Sequence, residues 1–241
     1  MPAPSPDQPQ QQQATNHQGS SLMPATGTHT TSSQFCDPGN TTSLQQVPMM
    51  NRFIITDPAT LQGPICYFDA SLLPDNTQAT PRPAGLGIFI SNLQVPMYQS
   101  IHIQAHLQSC TSVLMAEAAA LALAALITSN LNITGCTFLS DCEQLVHFIN
   151  SVDQSNPPDW RIKPFTQIFS NSSPGYSSRL CKISRNLNHL ADGLARQALS
   201  SNSLGLLTSC SNNHGSVQCF VPQALQYVDL HLVTLLAASC C

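Results

Sequence analysis

The chain alternates between apolar runs whose period announces an element and long polar runs with no period at all. Residues 1–50 are of the second kind: Gln, Pro, Ser and Thr dominate, and Asp7 and Asp37 are the only charged residues. Such a segment has too little apolar surface to offset the entropy of ordering it, so a disordered tail is expected. Residues 51–64 (NRFIITDPATLQGP) read as a lead-in. The run ICYFDAS at 65–71 is rich in strand formers and ends in the turn-prone LLPDNTQATPRP. A second strand, AGLGIFIS at 84–91, carries Gly85 and Gly87, a pattern that marks a bulge or a close backbone approach. A third, at about Met97–Gln104, completes what reads as an antiparallel meander.

The period then changes. Ser112–Ser129 (SVLMAEAAALALAALITS) is Ala/Leu-rich and strongly helical. A short strand, TGCTFLS at 134–140, leads into DCEQLVHFIN at 141–150, a helix expected to be capped by Ser140 or Asp141. Asn156-Pro157-Pro158 breaks the chain before a short helix around Trp160–Ser170. A strand at Arg179–Ser184 precedes a last helix, about Asn188–Ser200. The order β-β-β-α-β-α-(α)-β-α places the chain in the α/β class, a mixed sheet with helices packed on it, and bounds one domain at 65–199. Residues 200–241 read as a polar linker followed by an apolar tail, in which ALQYVDLHLVTLLAA is expected to form a weak accessory helix.

Charged residues make up 8% of the chain, against about 25% in ordinary globular proteins, so each is informative. Residues 65–199 hold seven bases (Arg82, Arg161, Lys163, Arg179, Lys182, Arg185, Arg196) and eight acids. This balance excludes a strongly basic, tight nucleic-acid binder, but six of the bases lie between Arg161 and Arg196, enough for a local basic face. The ten cysteines do not suggest a disulfide framework. Cys66 and Cys136 sit in apolar strand-like runs, where a free thiol packs as a small hydrophobe. No pair has C-x-x-C zinc spacing, and no signal sequence opens the chain. An intracellular, reducing home is therefore expected, nucleus or cytoplasm, and the Asn-x-Ser/Thr matches at Asn40, Asn132 and Asn171 carry little weight. The most apolar stretch, Met115–Ile127, has 13 residues and contains Glu117, short of the about 20 that a membrane span needs.

Four carboxylates occupy notable places. Asp69 interrupts an apolar strand, though from that segment alone it is as well explained as the start of a turn. Glu117 shares a helical face with Val113, Leu114, Ala120 and Leu121, and no Arg, Lys or His lies between Ser109 and Asn130 to pair with it. Either that face is exposed or a cation or another part of the fold meets the carboxylate. Asp141 follows a strand and opens a helix, where capping alone would account for it, and Asp192 lies in the first turn of the last helix, with the same ordinary explanation.

Taken together, CYFDAS (66–71), AGLGIFI (84–90), MAEAAAL (115–121), FLSDCEQLV (138–146) and RNLNHLADGLARQA (185–198) resemble type 1 ribonuclease H domains, especially those of plant retroelement polyproteins. The resemblance spans essentially all of 65–199 and implies a ribonuclease H-like mixed five-stranded sheet, three antiparallel strands then two parallel, flanked by helices. It implies Asp69, Glu117, Asp141 and Asp192 as catalytic, metal-binding acids, holding two Mg²⁺ ions for which Mn²⁺ may substitute. Asp69 would bridge both ions, Glu117 and Asp141 would serve the ion nearer the leaving group, and Asp192 the water-activating one. The implied reaction is endonucleolytic hydrolysis of the RNA strand of an RNA–DNA hybrid by a monomer, without a membrane partner. Backbone amides at Ala70 and Ser71 and the side chain of Asn188 are the implied contacts to the 2′-hydroxyl. Arg185, with Arg161, Lys163 and Lys182, would contact phosphates in place of a basic handle that the sequence lacks.

The pattern departs from cellular ribonucleases H in one respect: they carry a loop histidine before the last aspartate. Here that region is short, and His189 reads as a surface or capping residue of the last helix. This keeps a second reading open, a retroelement remnant that binds nucleic acid with little or no turnover. A 3′–5′ exonuclease on a related fold ranks lower, because its first-strand D-x-E pair is absent: Asp69 is followed by Ala70 and Ser71.

Overall fold

A computed structural model describes residues 53–73, 81–95, 98–172, 179–201, 206–210 and 220–241. The expected disordered tail at 1–50 and most of the turn after the first strand lie outside these residues. Strands β1 (Ile65–Leu72), β2 (Arg82–Val95) and β3 (Tyr98–Cys110) form the meander. Helix α1 (Val113–Asn130) follows, then β4 (Thr137–Ser140), α2 (Glu143–Asn150), α3 (Lys163–Ser172), β5 (Arg179–Lys182) and α4 (His189–Ser200). β4 lies parallel to β1, and β5 parallel to β4.

The sheet is larger than the five strands expected. β6 (Leu207–Cys210) and β7 (Val233–Cys240), with a short helix α5 (Phe220–Leu225) between them in sequence, extend it to seven in the order β5-β4-β1-β2-β3-β7-β6. The apolar tail therefore forms a strand where an accessory helix was expected. Its Leu236, Ala238 and Cys240 are buried in alternation, the period of a strand with one face on a core. β7 runs antiparallel to β3, from Ile101 opposite Cys240 to Leu107 opposite Val233, so the outer side of β3 is hydrogen-bonded.

Side chains alternate across the sheet, and the two faces receive different helices. On β2, Leu86, Ile88 and Ile90 join the alanines of α1 in the main core, together with Val221, Leu225, Ala238 and Cys240 from the C-terminal elements. Gly85 and Gly87 face α4, whose backbone lies so close that a β-carbon at either position would run into a carbonyl oxygen, Ala195 or Ala191. Of the two meanings expected for the paired glycines, close approach is the one realised. Helix α1 is buried on nearly every side by the sheet, α2, α3 and α5, which accounts for its uniform apolarity. Among the described residues it alone has the length and hydropathy of a membrane span, and 72% of that window is buried inside the fold. It begins with Ser112, whose hydroxyl accepts from the Met115 N–H at 3.1 Å.

Cys66 and Cys136 are buried free thiols, as their apolar runs imply, and burial pushes the Cys66 thiol up.

Candidate metal centre

β1 and β4 are paired from Ile65–Thr137 to Tyr67–Leu139 and then part. Asp69 lies two residues beyond the last pair on one strand and Asp141 two beyond it on the other. Equal offsets in a parallel register bring their carboxylates to the same level, at the mouth where the strands separate. Opposite Asp69 on β2 stands Gly87. Glu117 enters from α1, which packs against β1. Ligating oxygens of Asp69, Glu117 and Asp141 all lie within 4.8 Å of one another.

Asp69 and Glu117 are buried, while Asp141 and Asp192 keep 17% and 22% of their side-chain surface exposed. Burial, reinforced by the charges of Asp141 and Asp192, pushes Asp69 up to about 8, and the backbone N–H of Ala70 acts in the opposite direction. Burial likewise raises Glu117 far above the usual carboxylate range, with Asp69 and Asp141 adding to the effect. Glu117 Oε2 has no hydrogen-bond partner although it is fully enclosed. An orphaned carboxylate oxygen among other carboxylates lacks a proton or a cation, and hard oxygen donors at this spacing fit a divalent metal.

Asp192, in the first turn of α4, acts on Asp69 through its charge and is held by Arg196 one turn on, Nη2 to Oδ2 at 2.9 Å. It stands outside the group of three mutually close acids. Lys182 Nζ donates to the backbone carbonyl of Asp141 at 2.6 Å, fixing the end of β4. Arg185, 78% exposed, sits at the rim with Nε 4.0 Å from Asp141 Oδ2. Two bases of the Arg161–Arg196 cluster, Arg185 and Arg196, thus face carboxylates of the acids, and Lys182 holds the Asp141 backbone.

Several expectations change here. Asp141 is not the cap of α2: the cap position is Cys142, and Ser140 Oγ accepts from the Cys142 N–H at 3.0 Å. That leaves the Asp141 carboxylate for the cluster. Asn188, expected at a substrate hydroxyl, is only 1% exposed. Its Nδ2 donates inward, to Phe68 O at 3.0 Å, Asp141 Oδ1 at 3.1 Å and Asp69 Oδ1 at 3.4 Å. Sequence reasoning had no signal for this, because the partners lie far away along the chain. The Ala70 amide faces the carboxylates, and Ser71 is part-exposed. His189 is exposed on α4, its Nδ1 3.2 Å from Asn186 O, a surface position as expected.

No curated protein matches the sequence. Among solved structures, ribonuclease H1 of the halophilic archaeon Halobacterium salinarum is 18% identical, over 57% of this chain and 97% of its own, with a TM-score of 0.44. The ribonuclease H domain of prototype foamy virus is 23% identical over 58% and 96%, also at 0.44. A ribonuclease H1 isolated from compost, solved with an RNA/DNA hybrid, is 21% identical over 57% and 96%, at 0.43. The family described as reverse transcriptase-like matches residues 75–198, just over half of the chain, and takes in Glu117, Asp141 and Asp192. The chain belongs to the family described as reverse transcriptase-like.

Proposed function

We propose that this protein is a metal-dependent endonuclease that hydrolyses the RNA strand of RNA–DNA hybrids, using two Mg²⁺ ions for which Mn²⁺ can substitute. The observation that carries the reading is the convergence of Asp69, Glu117 and Asp141 within 4.8 Å, two of them buried, around a Glu117 oxygen that no described residue satisfies. Asp192 completes the set from α4. Bound divalent cations supply the polarisation that turns water into a nucleophile at neutral pH and offset charge at the leaving oxygen.

The chain's own residues supply the rest. Asp69 feels the charges of both Asp141 and Asp192, and so is the acid suited to serve both ions. Glu117, from α1, and Asp141, from the end of β4, close one side. Arg196 keeps the Asp192 carboxylate on the α4 side of the cluster. Arg185 offers an exposed guanidinium at the rim, suited to a phosphate of the bound strand. Lys182 stiffens the turn that carries Asp141.

The test is cleavage of an end-blocked, labelled RNA–DNA hybrid by the purified chain with Mg²⁺ or Mn²⁺, beside Asp69→Asn. Internal cuts that need both the cation and Asp69 support the reading. Equal background from both proteins sinks it. A second reading, a binding module with little turnover, is favoured by one observation: the short segment that joins β5 to α4 carries no histidine, and His189, the first residue of α4, lies exposed against the Asn186 carbonyl. Retention of the hybrid without cutting by either protein would select it.

A further inference from the structure

We propose that Asn188 is a positioning residue for the acidic cluster: its amide holds Asp69 and Asp141 in their ligating arrangement and thereby sets the affinity for the divalent cation. This rests on the reading of the cluster as a cation site. The Nδ2 group faces three acceptors, the Phe68 carbonyl and one oxygen each of Asp69 and Asp141. Two hydrogens shared among three oxygens make a local centre of positive charge where two carboxylates and a carbonyl would otherwise repel.

The other end of the same amide gives the arrangement its meaning. Asn188 Oδ1 is buried and has no partner. Turning the amide over would place that oxygen against the three acceptors, so the orientation is fixed by repulsion as well as by attraction. An asparagine kept for architecture alone would have both ends satisfied. Here one acceptor goes unpaired so that two acids from different strands are tied to one point. The tie also reaches the backbone of β1 through Phe68, and Asn188 itself immediately precedes α4, whose first turn carries Asp192. One side chain therefore links β1, the end of β4 and the start of α4, the three elements that carry Asp69, Asp141 and Asp192.

The experiment is titration of the full-length chain with Mn²⁺ alone, by calorimetry or by electron paramagnetic resonance. Asn188→Ala should raise the Mn²⁺ dissociation constant about ten- to a hundredfold, the range seen when a group that orients metal ligands is removed. If Asn188→Ala does not fold, Asn188→Ser carries the same titration. Asn188→Asp keeps the shape but exchanges the donor for a further charge, so without metal it should melt below Asn188→Ala, an effect that a merely space-filling role would not produce. Mn²⁺ affinity equal to that of the wild type, or an Asn188→Asp protein that melts at the wild-type temperature, overturns the proposal. A wild-type chain that takes up no Mn²⁺ sinks the reading of the cluster itself, whereas uptake that Asn188→Ala leaves unaltered sinks only this one.

Discussion

Gly87 and Ala191 meet backbone to backbone: a β-carbon on Gly87 would occupy the space of the Ala191 carbonyl oxygen and press on the Ala195 amide. Gly87 is also the partner of Asp69 across β1 and β2, and Ala191 immediately precedes Asp192. The closeness of α4 to the sheet therefore fixes how far Asp192 stands from Asp69. Gly87→Ala should force α4 outward, lower stability by about 1–3 kcal/mol and reduce the melting temperature by roughly 5 °C. Cleavage should fall with it. Thermal denaturation with and without Mg²⁺ checks this, and an unchanged melting temperature would show that α4 is not so tightly seated.

Removal of an acid should separate activity from stability. Asp69→Asn removes the cost of keeping a buried carboxyl protonated far above its ordinary value, so the metal-free protein should melt at a higher temperature at pH 7–8. Its cleavage rate should fall ~10²-fold or more, since several kcal/mol of charge stabilisation depend on the ligand set. Glu117→Gln should behave alike, because its carboxylate is buried with one oxygen unpaired.

The metal-free protein should lose stability as the pH rises. Asp69 titrates at about 8 in the folded chain, above its ordinary value of 3.8, so between these values the folded state holds a proton that the unfolded state has released. The resulting contribution is full below pH ~4 and gone above pH ~8. Glu117 shifts in the same direction and adds to the slope. Melting temperatures in a chelator across this interval should decline with pH, and Asp69→Asn should flatten the decline. A rise across the interval would mean that the two acids are not buried as described.

Divalent cations should reverse that loss. A cation bound only by the folded chain stabilises it by about 2.7 kcal/mol at a hundred times its dissociation constant. Mg²⁺ or Mn²⁺ should raise the melting temperature more as the pH climbs toward and past 8, as protons compete less for Asp69. The increment should vanish in Asp69→Asn.

Deletion of residues 206–241 should leave β3 with a bare edge and open the core where Val221, Leu225, Ala238 and Cys240 now pack. The truncated chain should be insoluble or should melt well below the full one. Solubility and light scattering of the two proteins decide the matter.

Much of the site could be read from the sequence because its acids sit on elements with a clear period. Glu117 stands out on an apolar helix, and Asp69 and Asp141 follow strands whose parallel pairing then aligns them. Asn188 was legible as a polar residue before a helix, but the direction of its amide depends on the Phe68 carbonyl, more than a hundred positions away. Cys142 takes the cap position of α2 because the chain has not yet turned helical at Asp141, a one-residue offset that local composition does not fix. The strand VTLLAASC contains helix-forming Leu-Leu-Ala-Ala, and its two-residue period appears only in which side chains β3 and the core bury. The local preference and the tertiary demand disagree there, and the tertiary demand wins.

The pairing of β3 with β7 also has a consequence during synthesis. β3 emerges from the ribosome long before β7, so the nascent sheet must wait with Ile101, Ile103 and Leu107 lacking their outer neighbour until the far segment arrives. During that interval the meander offers an unpaired edge to any passing strand, and the hazard ends only when β7 docks.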